Sequence, residues 1–252
     1  MPFRRWSETV TITAFIIHLK RATKRGEHIR QLIERLPVKA EIIDAVDALD
    51  LSDDDMGAVY KRSLHRPYYP FELRISEVAC FLSHRKAWQT IVDRNLGAGL
   101  VIEDDVDLDD AAFAAQLKLA LQGMKSTDYI RFPRWPRGEY GQEVAKEGAN
   151  SVIEPDLPGL GMQMQLVGQD AALALLAATK QFDRPVDTTI QMRWLHPIRV
   201  LSARPITIRE IDFNLGGTVV QGKNKTLSGR LSREILRPYY RVKLYLYNRF
   251  RR

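Results

Sequence analysis

Apolar residues near the start of the chain change period within one short stretch. Val10 to Leu19 is rich in Ile, Thr, Phe and Val, which predicts a buried strand. Ile29, Leu32, Ile33 and Leu36 then recur at helical spacing. They predict a helix that Thr23 caps and Pro37 ends. Glu41 to Val46 reads as a second short strand. The order β-α-β favours a parallel sheet with helices on its faces.

Further along, Ser52 ahead of Asp53, Asp54 and Asp55 marks a short helix, and Arg66 to Pro70 reads as loop. Such a loop either covers a site or simply connects elements at the surface. Ser76 precedes a strong helix with Val78, Phe81, Leu82, Trp88, Ile91 and Val92 as its apolar positions, stopped by Asn95 and Gly97. Leu100, Val101 and Ile102 form a short apolar strand that runs into an acidic cluster, and Ala111 to Leu121 is the next helix. Asp128 to Phe132 is a strand, and residues 133–160 are rich in Pro and Gly. Asp170 to Ala178 is an Ala/Leu helix, and Ile198 to Leu201 and Pro205 to Ile208 are short strands. The fold class is α/β, with a mostly parallel central sheet flanked by helices and a basic helical tail.

Charge divides the chain in two. The 252 residues carry +7, but residues 221–252 hold ten basic residues and one acid, a net +9. The first 220 residues are at −2, so a basic DNA-binding body is disfavoured. The expected division is a globular domain over 1–220 and a basic amphipathic tail over 221–252. Cys80 is the single cysteine, which excludes an internal disulfide framework and a Cys-rich zinc site. Thr9 to Leu19 is too short and too polar for a signal peptide. No apolar run approaches the roughly eighteen residues of a membrane span. A cytoplasmic location is the expectation.

Four groups of residues are candidates for chemistry. The first is Glu103, Asp104, Asp105 and Asp107. On extended backbone Glu103, Asp105 and Asp107 share a face and Asp104 opposes them, whereas a turn after Glu103 brings neighbouring carboxylates together. Carboxylates at the end of a parallel strand lie where open α/β sheets bind ligands, and hard oxygens suit Mg²⁺ or Mn²⁺. The same run also reads as an acidic helix N-terminus, with Asp109 and Asp110 meeting the dipole of the following helix. The second group is Ser83 and His84, with Cys80 one helical turn before His84. A small buried cysteine beside a hydrogen-bonded histidine explains that spacing better than a nucleophilic pair does. The third is Arg21 and Arg25, which follow the first strand and suit a diphosphate or an exposed first turn. The fourth is Asp187 after Pro185, a helix cap over Thr188 to Trp194 or a general base. No serine-hydrolase elbow, zinc-protease His-Glu-x-x-His or P-loop is present.

Together these segments carry a resemblance. Ile16 to Arg21 with Arg25, then Ile43 to Ala48, resemble the opening of family 25 glycosyltransferases, the lipopolysaccharide-biosynthesis glycosyltransferases. Ile75 to Trp88 is similar to that family's next block, Leu100 to Val106 to its acidic motif, and Pro185-Val186-Asp187 to a later block. The blocks follow the family's order across about residues 12–220.

The resemblance implies a GT-A-like nucleotide-binding fold, a UDP-sugar donor carrying galactose or glucose, and a saccharide acceptor on the bacterial envelope pathway. It implies that Glu103 and Asp104 hold the donor, with Asp105 and Asp107 as ligands of Mn²⁺ or Mg²⁺. Leu19, Arg21, Arg25 and Asp47 would line the nucleotide end, and Ser83 and His84 would stand near the donor. The resemblance implies inverting transfer, and Asp187 is the residue expected to act as its base. Gly161 to Gly168 departs from the family, which often carries an aromatic residue there.

Other classes compete with that reading. In the tail, Leu231, Ile235, Tyr239, Val242 and Leu246 recur at near-helical spacing, with Arg233, Arg237 and Arg241 on another face and Pro238 as a break. Such a tail suits the surface of an anionic membrane, or packing on its own domain, better than nucleic acid. A non-catalytic module acting through this tail is the alternative function. A hydrolase is the third, because carboxylate pairs also cleave glycosidic bonds.

Overall fold

The computed structural model describes residues 12–135, 139–211 and 227–250; of residues 227–233 it describes the backbone only. A central sheet has eight strands. In chain order they are β1 (Ile12–His18), β2 (Ala40–Asp44), β3 (Ala98–Glu103), β5 (Asp128–Arg131), β6 (Gly141–Glu147), β7 (Asn150–Pro155), β8 (Met164–Gly168) and β9 (Arg199–Arg204). A small two-stranded sheet adds β4 (Val106–Leu108) and β10 (Ile208–Glu210). The longer helices are α1 (Gly26–Arg35), α3 (Ile75–Asp93), α4 (Asp110–Gln122), α5 (Gln169–Ala178) and α7 (Leu227–Phe250), and the short ones are α2 (Asp53–Val59) and α6 (Val186–Ile190).

The spatial order is β2-β1-β3-β8-β5-β9-β7-β6. β1 runs parallel to β2 and β3, and β5 runs parallel to β9, while β8, β7 and β6 join antiparallel to their neighbours. The sheet is therefore mixed rather than mostly parallel. The reason is β8, a fully buried strand inserted between β3 and β5. A second departure lies in the Pro- and Gly-rich stretch, which contains the β6–β7 hairpin, turning at Gly148 with φ +58°. The polar, exposed β6 hides there because it is an edge strand with no apolar alternation.

Both faces of the sheet are covered, which is why β1 is apolar at nearly every position. Ile12, Ala14 and Ile16 meet Ile29 and Leu32 of α1 and Phe113 and Leu117 of α4 in one core. Phe15 and Ile17 meet Phe81, Trp88 and Ile91 of α3 and Leu175 of α5 in the other. The local caps also follow the sequence. Ser52 and Asp55 form a reciprocal capping box on α2, and Asp109 caps α4 through the Ala112 N–H. Thr23 does not cap α1. It begins a 3₁₀ turn, Thr23–Arg25, that runs directly into the helix.

α7 continues through Pro238 instead of breaking there. Pro238 and Glu234, one turn back, are both exposed, so water can meet the carbonyl that proline leaves unpaired. The helix docks on the body by Tyr240, Leu244 and Asn248. Leu244 packs with Met192 and Tyr240, the Tyr240 hydroxyl accepts from Arg184 at 2.5 Å, and Asn248 donates to Gln191 O at 2.8 Å. The stripe read from sequence is on the other side: Ile235, Tyr239, Val242 and Leu246 are exposed. Leu231 and Arg233 belong to that stripe and its basic flank, but their side chains lie outside the described residues. No described helix is long and apolar enough to cross a membrane.

Candidate functional site

β1, β2 and β3 are parallel and end level with one another, His18 against Asp44 and Ile17 against Glu103. A cleft of about 850 Å³ opens beyond those ends. This is the expected position for a ligand in an open α/β sheet, and the volume is within the range of small-molecule sites.

β3 ends at Glu103, and Asp104 and Asp105 form the turn into β4. That turn separates the fates of the four acidic residues. Glu103, Asp104 and Asp105 line the cleft. Asp104 is buried and already paired, accepting from His18 Nδ1 at 2.7 Å and from Arg25. Asp105 Oδ2 lies 3.7 Å from Arg25. Asp107, expected as a second metal ligand, is not at the cleft. It pairs across β4–β10 with Arg209 and also accepts from Arg35 at 2.6 Å. Those two guanidiniums hold its carboxyl below the usual range, against the opposing effect of burial. The turn, rather than alternation along an extended strand, thus decides which carboxylates converge.

Arg21 and Arg25 come from the loop and 3₁₀ turn after β1, and both line the cleft with Leu19. Arg25 is 7% exposed and tied to the acidic turn, so it holds that turn in place. Arg21 donates to Asp47 at 2.5 Å, which brings Asp47 to the cleft rim. From α3 come Cys80, Ser83 and His84. Ser83 Oγ accepts from Val46 N–H at 2.9 Å and donates to Ala79 O at 2.8 Å, so it pins the segment after β2. His84 Nε2 lies 3.3 Å from Glu103 Oε1. Burial, reinforced by Glu103 and Asp187, pushes the Cys80 thiol well up, opposite to what a nucleophilic cysteine needs.

Asp187 lines the same cleft from the first turn of α6. Its Oδ1 accepts from the Thr188 N–H at 2.7 Å and from the Thr188 hydroxyl at 3.2 Å. Its Oδ2 accepts from the Gly161 N–H at 3.1 Å. Burial raises its pKa, and those hydrogen bonds oppose the rise. α6 ends at Ile190, short of the Trp194 expected from sequence.

One supporting set was not singled out in the sequence. Arg131 at the end of β5 is buried with Glu139, and it donates to Leu160 O at 3.0 Å and to Ser202 Oγ at 3.3 Å. Glu139 in turn accepts from Gly159 N–H. This set fixes the 157–161 loop beside Asp187. Gly161 adopts φ +108°, so that position requires glycine, and a Cβ on Gly159 would lie 2.8 Å from Glu139 Oε1, so a side chain there would push on the Arg131–Glu139 pair. Glu139 is one of four glutamates in the Pro- and Gly-rich stretch 133–160, and no local pattern singles it out.

Of the residues selected from sequence, the structure brings Leu19, Arg21, Arg25, Ser83, His84, Glu103, Asp104, Asp105 and Asp187 to one cleft, with Asp47 attached through Arg21. Trp135 and Arg241 are additional lining residues, the latter contributed by α7.

Comparison with known proteins agrees with the resemblance in the sequence. The model of glycosyltransferase family 25 (LPS biosynthesis protein) matches residues 11–154. A glycosyltransferase 25 family member of Drosophila melanogaster is 31% identical over 193 residues, 73% of this chain and 31% of that protein. Procollagen galactosyltransferase 1 of Danio rerio is 29% identical over 216 residues, 77% of this chain and 35% of that protein. Inactive glycosyltransferase 25 family member 3 of Mus musculus is 27% identical over 212 residues, 76% of this chain and 36% of that protein. The chain thus spans about a third of the length of the curated relatives it matches.

Proposed function

This chain belongs to glycosyltransferase family 25, and from that premise we propose that it is a hexosyltransferase with a GT-A-like fold. It moves galactose or glucose from a UDP-sugar to a saccharide acceptor in lipopolysaccharide or other envelope-glycan assembly. One observation carries the reading: the acidic turn Glu103–Asp105, the basic loop with Arg21 and Arg25, and Asp187 share a single cleft at the ends of parallel strands.

In this reading Glu103 and Asp104 meet the donor, with Leu19, Arg21, Arg25, Asp47, Ser83 and His84 around it. The oxygens of Glu103 and Asp105 at the cleft fit Mn²⁺ or Mg²⁺, and Asp105 is the ligand retained from the expected pair. When bound, such an ion supplies positive charge to the diphosphate. The transfer is a single inverting displacement. Asp187 takes the proton of the acceptor hydroxyl, its oxygen bonds to the anomeric carbon, and the bond to the diphosphate breaks. The raised pKa of Asp187 makes it a stronger base than an exposed carboxylate.

The tail reading is refined by α7. Tyr240, Leu244 and Asn248 hold the helix on the body, leaving Ile235 (65% exposed), Tyr239, Val242 and Leu246 outward among basic side chains. That combination supports peripheral binding to the anionic inner face of a bacterial inner membrane. It also supports the alternative of a non-catalytic membrane module, as does the relationship to a mouse protein named inactive.

The deciding experiment incubates the chain with UDP-galactose or UDP-glucose and Mn²⁺ and measures UDP release. It is repeated with lipid-linked or core-oligosaccharide acceptors and with EDTA. Acceptor-dependent, EDTA-sensitive UDP release is expected. Free sugar without acceptor product would favour a hydrolase, and no turnover with any donor would favour the non-catalytic module. Flotation with anionic vesicles should be lost in Ile235→Asp/Val242→Asp, substitutions that spare the docked face.

A further inference from the structure

The oxygen-rich site just proposed leaves Cys80 unused, and Cys80 belongs to a mixed cluster that shares His84 and Glu103 with that site, so the two metals would compete for the Glu103 carboxylate. Cys80 Sγ, a His84 ring nitrogen and a Glu103 carboxylate oxygen all lie within 4.8 Å of one another, the one such group of three or more found among the described residues. α3 presents Cys80 and His84 one turn apart on the same face, and Glu103 comes from the end of β3. All three side chains line the cleft.

Ligand atoms around a tetrahedral ion at bond lengths of about 2.0–2.3 Å are roughly 3.5 Å apart. The observed spread is wider by only about 1 Å, which side-chain rotation can close. A second observation points the same way. His84 is 1% exposed, and while Nε2 faces Glu103, Nδ1 has no hydrogen-bond partner among the described residues. Nε2 is therefore the nitrogen placed to ligate beside Glu103, with the proton of the neutral ring on Nδ1.

We propose that Cys80, His84 and Glu103 form a three-ligand site for a borderline transition metal of the Zn²⁺ class, with a fourth position open to the cleft. Thiolate and imidazole select Zn²⁺ or Co²⁺ over the Mg²⁺ that an all-oxygen site prefers. Three protein ligands with an open position is the arrangement of sites that bind an exchangeable oxygen ligand. Metal binding here does not depend on sugar transfer, and it can be measured without any donor.

The test uses Co²⁺ as the probe on the tag-free, metal-stripped full chain. Cys80 is the only thiol, so any sulfur-to-cobalt charge-transfer absorption reports on it. One equivalent of Co²⁺ should produce that band together with tetrahedral visible absorption, and Zn²⁺ should displace it. Cys80→Ser should abolish the band and weaken Zn²⁺ binding by more than about 100-fold, because loss of an outer-sphere partner alone costs 10–100-fold. His84→Gln should weaken binding similarly, with circular dichroism checking the fold of each variant. Absence of the charge-transfer band in the wild-type chain overturns the proposal, even if Cys80→Ser does not fold. So does a band or a Zn²⁺ affinity that survives Cys80→Ser. Sugar transfer that needs Mn²⁺ without a cobalt-thiolate band would refute this site and leave the transferase reading standing.

Discussion

Replacing Asp187 by asparagine removes the proposed base while nearly preserving shape. The carboxylate accepts three hydrogen bonds, two from Thr188 and one from the Gly161 N–H. Asparagine keeps one acceptor oxygen. If that oxygen stays on Thr188, the new amide N–H₂ opposes the Gly161 N–H, and the backbone donor loses its partner. A donor left unpaired costs about 1–3 kcal/mol, which is the expected loss in a urea or thermal unfolding measurement. Loss of general-base catalysis costs about 10²–10⁴ in kcat. At 1.36 kcal/mol per tenfold, the barrier rises by about 3–5 kcal/mol. The assay is acceptor-dependent UDP release, with UDP affinity measured separately by calorimetry. A large fall in kcat with UDP affinity retained is expected. Unchanged turnover in a folded, UDP-binding variant would refute the assignment.

The pH dependence has a definite sign. Asp187 works as a base only when ionised, so kcat/KM should rise with pH through a limb above the ordinary carboxylate value of 3.8. That limb should vanish in Asp187→Asn. Stability runs the other way. Because the folded pKa is raised, the stabilising contribution is complete below the unfolded value and is lost as pH rises through the folded one.

Other perturbations test the scaffold. Gly99→Ala would place a Cβ 2.6 Å from Ile91 Cγ1 and 3.1 Å from Phe15 Cε2, both fully buried, so unfolding should require about 1–3 kcal/mol less; an unchanged denaturation midpoint would show that the core on the α3 face of the sheet can yield there. Arg199 donates to both oxygens of fully buried Asp128, at 2.7 and 2.6 Å. Arg199→Ala should cost about 2–3 kcal/mol in chemical denaturation, below the range for a fully buried pair because the Arg199 side chain is 27% exposed. His196 is buried and its pKa falls to about 4 from 6.5. The unfolded chain therefore binds the extra proton first, so stability falls as pH drops below 6.5 and levels off below about 4. Between pH 7 and 5 this residue should account for about 2 kcal/mol, and His196→Gln should reduce the acid sensitivity of the unfolding midpoint by that amount.

Much of the molecule was legible locally. The buried strand around Phe15, the α3 apolar positions and the caps at Ser52 and Asp109 depend on neighbours within a few residues, and their patterns are visible in the chain. The acidic run after Ile102 and the basic residues after Leu19 identified the candidate site because both follow strands of one β-α-β layout. The sequence alone also located the excess charge in the last thirty-two residues.

Tertiary structure decided what depends on distant partners. β8 makes the sheet mixed because it is inserted between β3 and β5, an order that no local periodicity encodes. Asp104 and Asp107 are chemically identical in sequence, yet Arg25 ties one into the cleft and Arg35 and Arg209 hold the other away from it. The apolar positions of the tail were visible, but which face would be covered depended on the surface it meets. Tyr240, Leu244 and Asn248 find partners at Arg184, Met192 and Gln191, and the more regular stripe through Ile235 and Val242 is left outward. Pattern selects residues able to pair, but long-range packing determines which pairs form, because each pairing is a competition among groups far apart in the chain.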